Sequence, residues 1–263
     1  MKKSLGVLLV LVLLAGLSTS VFAERFGTPG ASLAKGQWSI GLEYNYIEEE
    51  VDLQTPQGWT LIQRGEEQAA RNQLLVRVGY GLTDKLEAFV KMGGTSTVME
   101  DALVDDFGAF NEEFEGDMEF TIAGGLALTI LEEGNFKLGM NGSLMWFQTN
   151  DDTLAVWDFI PHYQAIDADI FKFEGALMAS YQMGKITPYG GVCMCIHDGD
   201  ARYRWLFPAA PTAVMADIDV DQEDWFGLVL GANCEIVENL TVGVELTHVM
   251  EGVGVSVGVN CAL

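Results

Sequence analysis

The chain has 263 residues and a formal net charge of −24, from 14 basic and 38 acidic side chains. This acidic excess argues against a basic surface for nucleic acid or anionic lipid headgroups, so we expect no nucleic-acid partner. Hydrophobic residues make up 49% of the chain, which is too apolar a composition for a disordered acidic polymer.

The first element has the pattern of an export signal. Lys2 and Lys3 precede an apolar run over 5–17, and Val21 and Ala23 supply the small residues that a signal peptidase reads. The run is too short for a membrane-spanning helix, and no cysteine follows it directly, as a lipoprotein signal would require. We therefore predict a signal peptide over residues 1–23 and one exported domain over residues 24–263.

Ten later segments alternate apolar and polar residues with a period of two, which is the pattern of half-buried β-strands. They cover about 38–46, 73–82, 86–93, 118–130, 136–147, 171–183, 186–197, 226–236, 240–248 and 253–263. Most are near the length that a tilted strand needs to cross a bilayer. Short connections alternate with long ones at 47–72, 94–117, 148–170 and 198–225, as in membrane barrels with short periplasmic turns. An even strand count would place both termini in the periplasm.

The two faces of these segments differ. Successive residues of a strand point to opposite faces, so every second residue, a set that we call one parity, lies on the same face. One parity is apolar, and the other carries the charged residues. Most strand glycines share the charged parity, for example Gly79, Gly139, Gly243 and Gly258. A narrow lumen filled by side chains needs such small residues, whereas a convex surface does not. The charged face is therefore predicted to be inside, which favours a membrane barrel over a secreted lipocalin-like barrel.

The predicted fold is all-β. We expect a single antiparallel, up-and-down transmembrane β-barrel of ten strands over about residues 37–263, with eight or twelve strands as alternatives. Closure into a barrel satisfies every strand edge, as a lipid environment requires.

Three stretches resemble a known family. Residues 80–93, residues 187–191 and the closing alternation over 253–263 look like the hairpins and terminal strand of small bacterial outer-membrane β-barrel proteins of the OmpA/OmpX type. The resemblance implies insertion by the barrel-assembly machinery into the outer membrane of a diderm bacterium, with lipid and lipopolysaccharide as neighbours. In that family the last residue is usually aromatic, whereas this chain ends in Leu263.

The inward charges form the first candidate site. A charge removed from water is costly, so we expect these side chains to pair within a packed polar lumen. A charged constriction in a narrow pore is the alternative. The predicted lumen charge network consists of Glu43, Arg77, Glu87, Lys91, Glu119, Lys172, Glu174 and Glu245.

Two further sets could ligate a metal ion. Cys193, Cys195 and His197 share the inward face of one strand and are soft ligands of the kind that bind copper or zinc. Carboxylates alternate in the last long connection, where oxygen ligands could hold Ca²⁺, at Asp217, Asp219, Asp221 and Glu223. Lumen-filling side chains and a hydrated acidic loop are the alternative interpretations, and we expect no resident cofactor.

An enzymatic function is weighed against a structural one. Omptin proteases are ten-stranded barrels with acidic and Asp/His pairs at the rim, and this chain offers Asp105, Asp106, His197, Asp198 and Asp200. Their Asp-x-His order is not reproduced, and no Gly-x-Ser-x-Gly or phosphate-loop motif occurs. We therefore expect a non-catalytic envelope-structural or surface-interaction barrel with a mostly plugged lumen. The alternatives are a narrow passive pore and, ranked lower, a rim protease or a secreted binding barrel.

Overall fold

The computed structural model describes residues 25–54, 66–105, 108–157, 160–206, 214–221, 226–249 and 252–263. The predicted signal peptide lies outside these ranges. In the described part of the chain, no helix is long and apolar enough to cross a membrane.

The regular elements within these ranges are all β-strands. They are β1 (Trp38–Gln54), β2 (Glu66–Thr83), β3 (Leu86–Asp105), β4 (Gly108–Gly116), β5 (Glu119–Glu133), β6 (Phe136–Trp157), β7 (Ile160–Tyr181), β8 (Ile186–Leu206), β9 (Val214–Asp221), β10 (Phe226–Val237), β11 (Leu240–Val249) and β12 (Gly252–Ala262).

Ten of these strands form a closed antiparallel barrel. Each pairs with the next in the order β1, β2, β3, β5, β6, β7, β8, β10, β11 and β12. The ring closes where β12 pairs with β1, from Ser39 opposite Ala262 to Glu49 opposite Gly252. The predicted ten-stranded up-and-down barrel is confirmed, and each of its ten strands contains or overlaps a segment predicted from the alternation.

One end of the barrel, which we call the turn end, carries the four tight turns. They follow Thr83, Glu133, Tyr181 and Val237. Gly134, Gly184 and Asn239 adopt a positive φ at these turns, a conformation that glycine and asparagine tolerate best. The opposite end, where the longer hairpins lie, is called the hairpin end.

The predicted long loops are wrong in extent, because the strands continue beyond the segments that show alternation. The β6–β7 ladder runs without interruption to the pair Trp157–Ile160. The short strand β4 extends the sheet beside β3, and β9 joins β8 to β1. Backbone hydrogen bonds between neighbouring strands continue in these extensions. A clean alternation of apolar and polar residues, in contrast, arises where one face of a strand packs on a core.

The side-chain orientation agrees with the predicted parity. Leu144 and Phe226 are each 66% exposed on the outer surface, as members of a broad band of exposed apolar side chains. Glu87, Glu174 and Glu245 are each 1% exposed inside. The barrel is apolar outside and polar inside, which is the arrangement of a membrane barrel.

Residues 25–37 precede β1 and turn back into the barrel, and we call this segment the N-terminal plug. Arg25 and Leu33 are buried in the lumen at 6% and 3% exposure. Gln37 lies at the turn end, where its carbonyl accepts a hydrogen bond from Gly81 N. Arg25, the first described residue, therefore lies in the lumen, whereas Ala262 lies opposite Ser39 at the turn end.

Candidate functional site

The lumen site consists of wall side chains that bind the backbone of the N-terminal plug. Glu245 of β11 contributes both carboxylate oxygens: Oε1 accepts a hydrogen bond from Phe26 N at 2.8 Å, and Oε2 accepts one from Gly27 N at 2.9 Å. The hydroxyl of Tyr189 on β8 donates to the same Oε2 at 2.7 Å. Glu245 thus holds the inner end of the plug by two main-chain donors.

Asn141 of β6 binds the next part of the plug. Its Nδ2 donates to the carbonyls of Phe26 at 2.7 Å and Thr28 at 3.1 Å. Its Oδ1 accepts from Gly30 N at 3.1 Å. One buried amide therefore binds three backbone groups of the plug, using both its donor and its acceptor.

The outer half of the plug is bound in the same manner. Ala31 N donates to Thr129 Oγ1, and Lys137 Nζ donates to the Ala31 carbonyl, both at 3.1 Å. Ser32 donates from both its backbone N and its hydroxyl to Glu87 Oε2, each at 2.9 Å. The plug backbone is thus bound by wall side chains from its inner end to the turn end.

Arg25 has its own place in the wall. Its Nη2 donates to Asn233 Oδ1 at 2.6 Å, and its backbone carbonyl accepts from Lys91 Nζ at 3.0 Å. A Cβ at Gly258 would collide with the guanidinium, and so would one at Gly243. These inward glycines therefore leave the space in which the arginine side chain lies.

Phe26 packs against an apolar cluster inside the otherwise polar lumen. The cluster contains Ile47, Ala176, Met178, Tyr189, Cys193 and Val229, from strands on opposite sides of the barrel. Ile47 and Val229 are 0% exposed. The cluster therefore helps to close the lumen beside the inner end of the plug.

Side chains of the wall bridge the lumen further toward the hairpin end. The Arg71 guanidinium lies 4.9 Å from the ring centroid of Phe147, and Gln73 Nε2 lies 3.8 Å from Met145 Sδ. Lys172 and Glu174 form an ion pair at 2.6 Å and are both almost fully buried. This layer is filled by the wall itself, as expected for a barrel of this size.

A cavity of about 520 Å³ lies beside the plug at the turn end. Its lining extends from turn residues such as Asn135 and Asn239 to Arg25 and Phe26 in the lumen. The plug can thus be reached from the turn end.

The predicted charge network is resolved into pairs. Glu43 binds Lys91 at 2.9 Å, Arg77 binds Glu87 at 2.7 Å, and Lys172 binds Glu174. Glu119 is half-buried near the start of β5. Glu245 was expected to pair with a wall cation, but its hydrogen bonds go to plug backbone and Tyr189.

The structure does not support the metal interpretation of Cys193, Cys195 and His197. Cys195 Sγ contacts His197 Nε2 at 3.3 Å and Glu174 Oε1 at 3.8 Å. Among the described residues, no group of three or more His, Cys, Asp or Glu is arranged to hold a metal ion. Alternate residues of one strand lie about 6.5 to 7 Å apart, which is too far for all three to converge without other strands. The four cysteines, all within the described ranges, form no disulfide bond.

The acidic set in the last long connection is described only in part. Asp217, Asp219 and Asp221 belong to β9, where Asp221 pairs with Asp198 of β8 and Asp52 of β1. Their side chains and the whole of Glu223 lie outside the described residues. The calcium hypothesis stays a prediction.

The residues considered for an omptin-like site do not form a pair where they are described. His197 is buried in the lumen, whereas Asp198 and Asp200 are exposed on the other face of β8. The side chain of Asp105 and the whole of Asp106 lie outside the described residues. Although these residues are close in the sequence, the side chain of His197 therefore lies on the opposite face of β8 from those of Asp198 and Asp200.

Sequence reasoning missed the plug and the neutral residues that bind it. These residues lie on the inward face of their strands, at Asn141, Thr129, Tyr189 and Asn233. A polar residue on that face, however, does not indicate which group it contacts. One signal was available, because the many inward glycines indicated lumen volume that the wall does not fill.

Comparison with known proteins defines the fold. No protein-family model and no curated protein matches the sequence. Among solved structures, the outer membrane protease OmpT from Escherichia coli matches with a TM-score of 0.50 and 10% identity, covering 91% of this chain and 100% of that one. The chain has the fold of a bacterial outer-membrane β-barrel protein.

Other solved barrels match at lower scores. The outer membrane protein OprG from Pseudomonas aeruginosa has a TM-score of 0.47 at 12% identity, covering 88% of this chain and 97% of its own. An outer membrane channel from Pseudomonas putida F1 has a TM-score of 0.38 at 12% identity, covering 92% of this chain and 100% of its own. At these identities the comparisons describe architecture and not activity.

Proposed function

We propose that this protein is an integral outer-membrane barrel with a non-catalytic structural or surface-interaction role, closed by its own N-terminal plug. The observation that carries the proposal is the set of wall side chains, Glu245, Asn141, Thr129 and Glu87 among them, that bind the plug backbone in the lumen. The exposed apolar band outside the barrel supports a membrane location.

The proposal includes export and insertion. A signal peptide cleaved after Ala23 would deliver the chain to the periplasm, and the barrel-assembly machinery would insert it with its turn end on that side. Lipid then surrounds the apolar band, and divalent cations link acidic residues of the hairpin end, such as Glu48, Glu66 and Glu112, to lipopolysaccharide. Washing membranes with urea should leave the mature protein in the outer-membrane fraction, and heating should change its mobility on a gel. Recovery as a water-soluble protein would contradict the membrane location.

Single-channel recording tests the closed lumen. We expect the mature protein to give no resolved conductance steps in a planar bilayer, because the plug and the side chains around it occupy the lumen. Regular steps in the unmodified protein would favour the second candidate, a narrow passive pore. That candidate is supported by the cavity of about 520 Å³, which already leads from the turn end into the barrel.

The non-catalytic proposal is tested separately. A peptide library incubated with the folded protein should remain intact, and His197→Ala should not alter that result. Cleavage abolished by His197→Ala would favour a hydrolase instead.

A further inference from the structure

We propose that the lumen wall is a peptide-binding site that accepts, in trans, peptides in which a basic residue, an aromatic residue and glycine follow one another near the amino terminus. In the structure this site is occupied by the N-terminal plug. The inference rests on the proposed function, in which the plug is a separable segment that closes the barrel.

The wall recognises main chain rather than a particular sequence along most of the plug. Asn141 binds the backbone of three residues, and Thr129, Lys137 and Lys91 each bind one backbone atom. Backbone hydrogen bonds of this kind give affinity for a peptide that can follow the bent course of the plug, in which Gly27 and Gly30 have positive φ, while side-chain pockets give selectivity. The plug between Arg25 and Gln37 contains no strand or helix of its own, so it depends on these contacts for its conformation.

Two pockets at the inner end would select the peptide. Phe26 packs against the apolar cluster of Ile47, Met178 and Val229. Arg25 fills the space above Gly243 and Gly258 and donates to Asn233. A glycine in third position matches Gly27, whose φ of +79° disfavours other residues. The sequence basic–aromatic–glycine therefore follows from the shape of the site.

A trans peptide would compete with the tethered plug. The plug has an effective concentration on the order of millimolar, because it is linked directly to β1. A free peptide would therefore bind the intact protein only weakly and would bind well once the plug is removed. The cavity at the turn end is the route by which it would enter.

The experiment uses a mature chain that lacks residues 24–33 and keeps residues 34–37, which support the start of β1. A synthetic peptide with the sequence of residues 24–33 is titrated into this variant by calorimetry, and thermal unfolding is recorded with and without peptide. We expect binding and a raised midpoint. A Phe26→Ala peptide should bind at least about tenfold more weakly, and Asn141→Leu in the barrel should weaken binding about a hundredfold. Ser143→Ala, the next inward residue on β6, should leave binding unchanged.

The outcomes separate this inference from the proposed function. Increased conductance of the deletion variant without peptide binding at millimolar concentration would overturn the inference and support the plug as a seal. Binding without increased conductance would support the inference and contradict the seal. If the deletion variant does not fold, full-length Phe26→Ala replaces it. That variant should bind the peptide more tightly than the unaltered protein, and equal binding would overturn the inference.

Discussion

Carboxylates in this lumen bind backbone donors as well as cations. Glu245 accepts from Phe26 N, Gly27 N and Tyr189 Oη and is 1% exposed. Glu87 divides its oxygens between Arg77 and the backbone and hydroxyl of Ser32. Removing such a carboxylate leaves several buried donors without an acceptor, which costs more than the loss of one exposed charge.

Glu245→Leu should lower the free energy of unfolding by about 3 to 5 kcal/mol, because two backbone N–H groups and a tyrosine hydroxyl lose their acceptor. Glu245→Gln keeps one oxygen acceptor and should cost less. Glu238→Leu, in an exposed turn, should change stability by less than about 0.5 kcal/mol. Urea unfolding in lipid vesicles gives all three values. Equal midpoints for the leucine variants would mean that Glu245 is not enclosed.

Gly258→Ala should destabilise the barrel by about 1 to 3 kcal/mol, the usual cost of overpacking, because the new methyl group would meet the Arg25 guanidinium. Combining it with Arg25→Ala should remove most of this cost, since the clash then has no partner. Gly124→Ala is the control, because the nearest atom to a Cβ there is 4.0 Å away. The unfolding free energies of the unaltered protein, Gly258→Ala, Arg25→Ala and the double variant form a double-mutant cycle. Strict additivity of the two single changes would contradict the contact.

Among the elements, the N-terminal plug differs from the strands because it is held almost entirely by other parts of the chain. Its Phe26 covers the cluster that contains Cys193, a thiol only 3% exposed. A local opening of the plug should therefore expose this cysteine before the barrel unfolds, since plug and strands have different local stabilities.

Thiol labelling measures that opening. In a Cys234→Ser, Cys261→Ser background, Phe26→Ala should speed the reaction of Cys193 with a water-soluble maleimide by more than about tenfold, because less apolar contact holds the plug in place. Phe171→Ala alters an outward ring that is 62% exposed and should have no effect. Mass spectrometry of the β8 peptide assigns the adduct. An unchanged Cys193 rate would show that Phe26 does not protect it.

The strands and the plug also differ in how well sequence predicts them. Alternation identified all ten barrel strands, because lipid outside and a polar lumen inside impose opposite chemistry on successive residues. The same rule cannot detect residues 25–37, which have no repeating contact with a surface. It also did not identify β4 and β9, which are known here by their backbone pairing with β3, β8 and β1. Parity predicted that the charged side chains face inward and form pairs. Which of them pair depends on the stagger between neighbouring strands, and alternation does not specify that stagger.

For the whole molecule, the excess of negative charge lies mainly outside the lumen. Buried cations and anions pair within the barrel, as Lys91 with Glu43 and Lys172 with Glu174 show. The net charge of −24 must then reside largely on the parts outside this paired interior. At the turn end, exposed carboxylates occur at Asp84, Glu132, Glu133 and Glu238. Such an acidic rim raises the local concentration of cations at this mouth of the barrel.

If the deletion of residues 24–33 opens a conducting path, that path should prefer K⁺ to Cl⁻. The reversal potential across a KCl gradient measures this preference. It should decrease as ionic strength rises, because salt screens the rim charges. Preference for chloride would show that lumen cations, rather than the acidic rim, determine selectivity.

The hydrogen bonds between the plug and Glu245 join groups 219 and 218 residues apart in the chain. The earliest part of the described chain therefore cannot complete its contacts until β11, nearly the last strand, is in place. Contacts of such separation form slowly and late, because a long loop must close first. Assembly of this barrel should then have two stages, with ring closure by β12 preceding the final docking of residues 25–27. A chain truncated before β11 would leave Phe26 N and Gly27 N without their carboxylate acceptor.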